Sequence, residues 1–140
     1  MTDASKAPLP KARPRPVYRN IGFGDLARYR LPAPGIASIL HRVSGVALFV
    51  GMLIVLPLFA MSLKSDAGFE AFRSMVWGNA PGKLILIALL LAVVYHLVAG
   101  VRHMIQDANR WLDLATSTRT AWATMLISVV LTAIIVARVW

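Results

Sequence analysis

Residues 83–107, which read Lys83-LILIALLLAVVYHLVAGVRHMIQ-Asp107, decide what kind of protein this is. At about 1.5 Å of rise per residue, a helix of this length crosses the roughly 30 Å apolar layer of a bilayer. The segment is apolar on most of its faces. One face is not: His96, Gly100, His103 and Asp107 recur at i, i+4, i+7 and i+11, a single helical stripe. Ionisable groups inside a membrane helix are costly unless they face protein, cofactor or water, so this stripe nominates itself as functional.

Two further apolar runs flank it, one over residues 36–63 and one over 121–140, which gives an all-α integral membrane fold with three spans. Pro57 falls inside the first span and is expected to bend it, which membrane helices tolerate when neighbours satisfy the freed carbonyl. Residues 64–82 read as a connecting loop with Phe69, Phe72 and Trp77 at the interface. A shorter polar link containing Asn109, Arg110, Trp111 and Asp113 joins the second and third spans. Arg138 and Trp140 can reach the far interface. Residues 1–35 form a separate basic, Pro-rich segment, extended or irregular around Pro8, Pro10, Pro14 and Pro16.

Composition agrees. The 140 residues are 58% hydrophobic and 15% charged, against about 25% charged in soluble domains. One membrane bundle is all this length accommodates. Cysteine is absent, which excludes disulfides, thiolate metal sites and iron–sulfur ligation by this chain. The formal charge of +9 could suggest nucleic acid, but it is concentrated ahead of the first span. Before Gly35 stand seven basic and two acidic residues, a net of +5. The two connections carry +1 each, so the amino-terminal segment alone sets the orientation, with that terminus cytoplasmic. No aromatic–basic interleaving or DNA-binding motif accompanies the charge. No cleavable signal is expected, and the prolines oppose an amphipathic transit helix.

The first span opens with Ser38, His41, Arg42 and Gly45; Ser38 and Arg42 share one face, His41 and Gly45 another. Residue counting puts His41, Arg42, His103 and Asp107 near the cytoplasmic edge and His96 about 10 Å deeper, alone among the histidines at that level. A mid-membrane imidazole needs a partner for its ring nitrogens. Three readings remain open: a haem ligand, a histidine bonding helix to helix, or a proton relay. Haem suits the pattern, with an axial imidazole, a small residue such as Gly100 beside the macrocycle, and His41, Arg42, Arg102 and His103 as the polar end for propionates. Histidines seven apart on one straight helix cannot share an iron, so a bis-histidine haem takes its second ligand from another chain.

The same residues carry a family likeness. Ser38-Ile39-Leu40-His41-Arg42-Val43-Ser44-Gly45-Val46, soon after Arg30-Leu31-Pro32, strongly resembles the signature of the cytochrome b556 (large membrane-anchor) subunit of succinate dehydrogenase, respiratory complex II. So does His96-Leu97-Val98-Ala99-Gly100-Val101-Arg102-His103-Met104, closed by Asp107. The likeness runs from Arg30 to Trp140. Gln106 and Asn109, beside Asp107, stand where relatives often have an aromatic and a small residue.

The resemblance implies half of a heterodimeric membrane-anchor bundle in the bacterial inner membrane. Its partners would be a second three-helix anchor subunit, an iron–sulfur subunit and a flavoprotein. FAD and the clusters would lie only in those partners. His96 would be the metal ligand, holding haem b shared with the second anchor, whose histidine fills the other axial position. His41, Arg42, Arg102 and His103 would surround the haem, and Ser38, Arg42 and Asp107 would form the ubiquinone site. The function implied is electron transfer from the iron–sulfur subunit to ubiquinone, as the membrane part of an oxidoreductase and without catalytic residues of its own. Rival readings are a fumarate reductase or menaquinone-type anchor, a haemless structural anchor, and a proton-conducting transport subunit.

Overall fold

The computed structural model describes residues 22–110 and 113–139. The basic tail, Trp111 and Trp140 lie outside them. The described residues are 89% helical with no strand. A short helix, α1 (Phe23–Arg28), belongs to a unit that ends at Arg30. Asp25 caps it by accepting from the Gly22 amide, and Arg28 stands in its last turn, where a cation complements the helix dipole.

The second unit holds α2 (Ala33–Ser62), α3 (Asp66–Trp77), α4 (Ala80–Asn109) and α5 (Leu114–Val139). Three of these, α2, α4 and α5, are long and apolar enough to cross a membrane. Helix α2 starts on Pro32 and Pro34, where a missing N–H costs nothing, and runs unbroken through Pro57.

Two connections differ from the sequence reading. Within residues 64–82 lies the amphipathic helix α3, started by Ser65, whose hydroxyl accepts from the Gly68 amide. Asn79 then closes the corner into α4: its oxygen accepts from the Gly82 amide at 2.7 Å, and its amide donates to the carbonyls of Ser74 and Met75. Replacing Asn79 by alanine removes bonds to both helices and should cost about 1–2 kcal/mol in a thermal melt.

The third span begins at Leu114, seven residues before the apolar run that suggested it. Asp113 is the cap, its carboxylate accepting from the Thr116 amide at 2.7 Å. That bond, followed by the Thr116 side chain, holds the Asp113 carboxyl below the usual range. A depressed carboxylate adds stability that is present above its unfolded value and lost as pH falls through the folded one. Acid titration of the wild type below about pH 4 should therefore loosen the start of α5, and Asp113→Asn should flatten that dependence in pH-resolved hydrogen exchange.

Helix α4 ends on Arg110, held left-handed at φ 50°, with its amide bonded to the Gln106 carbonyl. Glycine takes that conformation without strain, so Arg110→Gly should raise stability by about 0.5–1 kcal/mol in the same melt.

Packing in a membrane relies on close approach and hydrogen bonds, because lipid is as apolar as leucine. The buried positions on α2 and α5 are correspondingly small. On α2 they are Ala37, Ser44, Gly51 and Ser62; on α5 they are Ala121, Thr124, Ser128 and Thr132. The α5 hydroxyls satisfy themselves one turn back, Ser128 on the Thr124 carbonyl and Thr132 on the Ser128 carbonyl. Helix α4 packs against both α2 and α5, and α3 folds over α2 and α4. Between these last three lies an apolar cleft of about 680 Å³ lined by residues such as Gly51, Val55, Phe72, Trp77 and Leu86. The outer surfaces are apolar too, with Phe49, Leu97, Met104 and Leu126 among the exposed side chains.

Candidate functional site

The half of the bundle opposite α3 holds the polar residues. Tyr95 on α4 fixes the register there: its buried hydroxyl donates to the Ala37 carbonyl of α2 at 2.9 Å. One residue further along α4, His96 meets the next turn of α2. Its Nδ1 lies 3.1 Å from the His41 carbonyl oxygen and 3.0 Å from Ser44 Oγ, while Ser44 Oγ donates to the same carbonyl at 2.8 Å.

The three histidines come together. The His41 ring stacks on His96 with centroids 4.0 Å apart and planes at 17°, and His103 tilts toward His41 at 5.2 Å. Residue counting alone puts His41 level with His103 and leaves His96 by itself. The register set by Tyr95 corrects that, because it puts His41 opposite Gly100. Gly45 makes the overlap possible, whereas Gly100 leaves His41 at ordinary contact distance. A Cβ on Gly45 would stand 3.0 Å from His96 Cε1, and one on Gly100 would stand 3.6 Å from His41 Nε2.

His41 Nε2 is buried without a hydrogen-bond partner. A buried ring nitrogen left unpaired is costly, and it marks a place where a group from outside the chain is expected. Stacked, nearly parallel imidazoles cannot bind one metal ion from opposite sides, so His41 and His96 do not form a two-histidine ligand pair.

The other nominated residues lie around this centre. Ser38 is half-buried, and Arg42 and Asp107 are exposed on the outer faces of α2 and α4. None of these three side chains has a hydrogen-bond partner among the described residues. Arg102 points elsewhere. It is 7% exposed, and its guanidinium is spent on the first turns of α5: Nε donates to Thr120 Oγ1 at 3.1 Å, and Nη2 to the Ser117 carbonyl and hydroxyl at 3.0 and 3.3 Å. Gln106 donates to the same Ser117 hydroxyl.

Sequence reasoning missed Ser44, Tyr95, Ser117 and Thr120. For Ser44 a signal existed: it stands three residues after His41, on the face that meets the second span. Ser44 and Tyr95 also border an apolar recess of about 370 Å³ between α2, α4 and α5.

Three helices long and apolar enough to cross a membrane, two of which bring stacked imidazoles together, define a multi-pass membrane protein. The chain belongs to the succinate dehydrogenase/fumarate reductase transmembrane subunit family, whose model matches residues 12–135. Similar proteins bear that out. The succinate dehydrogenase cytochrome b556 subunit of Coxiella burnetii is 31% identical over 83% of this chain and 91% of its own length. That of Paracoccus denitrificans is 34% identical over 74% and 78%. That of Rickettsia felis is 32% identical over 76% and 82%.

Proposed function

We propose that this chain is the haem- and quinone-binding half of a succinate dehydrogenase membrane anchor. One observation carries the reading: His96 Nδ1 faces the His41 carbonyl and the Ser44 hydroxyl, which leaves Nε2 as the nitrogen free to bind a metal. Ligating histidines are commonly fixed this way, by an oxygen on the other ring nitrogen.

The residues present fit a haem b. His96 would supply one nitrogen to the iron, and a histidine of a second anchor subunit another. Gly45 leaves room beside the His96 imidazole, and His103 and Arg42 lie nearby in the fold as polar partners for the propionates. Arg102 would then support this end indirectly, through α5, rather than by touching the macrocycle. When bound, haem would hold single electrons between the iron–sulfur subunit and quinone.

Ubiquinone reduction is assigned to the cytoplasmic edge. Ser38 and Arg42 lie one turn apart on α2 with donors unspent among the described residues, able to hold a quinone carbonyl oxygen and to stabilise negative charge building there. Asp107, also without a partner among the described residues, can pass a proton at that edge. Flavin and succinate chemistry would belong to the soluble partners, and the cytoplasmic amino terminus and bacterial inner membrane complete the setting.

The test is mild-detergent purification with mass identification of co-purifying chains, followed by quinone-reductase assays. Flavin and iron–sulfur subunits should co-purify. Ser38→Ala and Arg42→Ala should each raise the quinone KM by about tenfold, the equivalent of one lost hydrogen bond, while succinate oxidation by a water-soluble dye is unchanged. Purification without such partners, or an unchanged KM in both variants, would sink the assignment.

A further inference from the structure

We infer that Ser44 is a positioning residue for the His96 imidazole, holding it in the tautomer and orientation that present Nε2 to a haem iron. The inference rests on His96 as axial ligand and adds a residue to that reading.

Ser44 is 7% exposed, buried between α2 and α4. Its hydroxyl has a single proton, and the 2.8 Å bond to the His41 carbonyl uses it. A lone pair is then what Ser44 Oγ offers to His96 Nδ1 at 3.0 Å, and the His41 carbonyl offers another at 3.1 Å. Both neighbours of Nδ1 are acceptors, so Nδ1 carries the proton and divides it between them. The opposite tautomer would set the Nδ1 lone pair against a carbonyl oxygen at hydrogen-bond distance. A rotated Ser44 proton could relieve only half of that conflict, and it would give up the His41 bond.

Two consequences follow for Nε2. Its lone pair is free, and two acceptors on the far nitrogen make the ring a stronger electron donor. Were haem bound there, a stronger donor nitrogen would favour the oxidised iron and lower the haem potential. Orientation is fixed as well: the ring sits over the bare backbone of Gly45, with a Cβ there only 3.0 Å from Cε1, while Ser44 holds the ring edge one residue earlier on α2. Alanine at position 44 would fill nearly the same space. The hydroxyl is therefore explained by the imidazole, not by packing.

The experiment uses the purified membrane complex, comparing wild type with Ser44→Ala and Ser44→Thr. The readouts are the midpoint potential of the b-type band and the rate of haem transfer to excess apomyoglobin. Ser44→Ala should shift the midpoint upward and speed haem release about tenfold, and threonine should return both toward wild type. If Ser44→Ala does not assemble, Ser44→Cys keeps the volume with a poorer acceptor and should give an intermediate midpoint. Wild-type midpoint and release in the alanine variant, or in the cysteine variant should that be the one available, overturn the role of Ser44 and leave His96 ligation standing. A wild-type complex without any b-type band overturns both.

Discussion

His96→Ala is expected to remove the b-type haem band from the purified complex, the largest effect of any single substitution in this chain. The substitution deletes the proposed ligand nitrogen itself. Loss of a supporting hydrogen bond weakens metal binding about 10–100-fold, so loss of the ligand should exceed that. The fold should survive. Alanine leaves a small void against Gly45, worth about 2–3 kcal/mol by analogy with other buried truncations, and Ser44 keeps its bond to the His41 carbonyl. His103→Ala, which touches His41 only through a tilted ring contact at 5.2 Å, should retain the band with a modest shift. Dye-coupled succinate oxidation should be near wild type in both variants, because that chemistry is assigned to other subunits. A difference spectrum and a dye assay on the same preparation separate these outcomes.

Arg102 gives the second large effect, and a pair of variants tells its origin. Arg102→Ala removes three donors from the first turns of α5 and empties a buried volume the size of an arginine stem. The loss should be about 2–4 kcal/mol. Desolvating a guanidinium is itself costly, however, and no carboxylate faces this one among the described residues. Methionine keeps much of the volume and sheds that cost, so Arg102→Met should stay within about 1–2 kcal/mol of wild type. Denaturant titration of the detergent-solubilised complex measures both. Equal losses in the two variants would mean that the hydrogen bonds, not the filled space, hold α4 to α5.

The sequence made the spans legible because each is a long apolar run, and a membrane leaves helices as the one structure such runs can form without a closed barrel. Its hydropathy could not find the ends. The start of α5 at Leu114 is hidden among Thr116, Ser117, Arg119 and Thr120, whose polarity mimics a loop; the Asp113 cap and the Arg102 contacts make it helical. Helix α3 hid for a similar reason, since its charged face dilutes its apolar one, although Ser65 followed by Asp66 was a readable cap.

The histidine stripe on α4 was legible from spacing alone. Its partner face was not. Which turn of α2 lies opposite His96 depends on register, and register depends on the Tyr95 bond to Ala37 and on the bare backbone of Gly45, neither of which periodicity ranks. Arg102 shows the same limit: its place beside His103 in the chain says nothing of which neighbouring helix its guanidinium reaches.

The most direct measurement is a dithionite-reduced minus oxidised visible spectrum of the intact complex, purified in mild detergent with this chain at wild type. An imidazole whose Nδ1 is held by backbone and whose Nε2 is free should appear there as a sharp b-type α band that His96→Ala abolishes. A featureless spectrum, or a band that persists undiminished in His96→Ala, would show that this imidazole is no haem ligand.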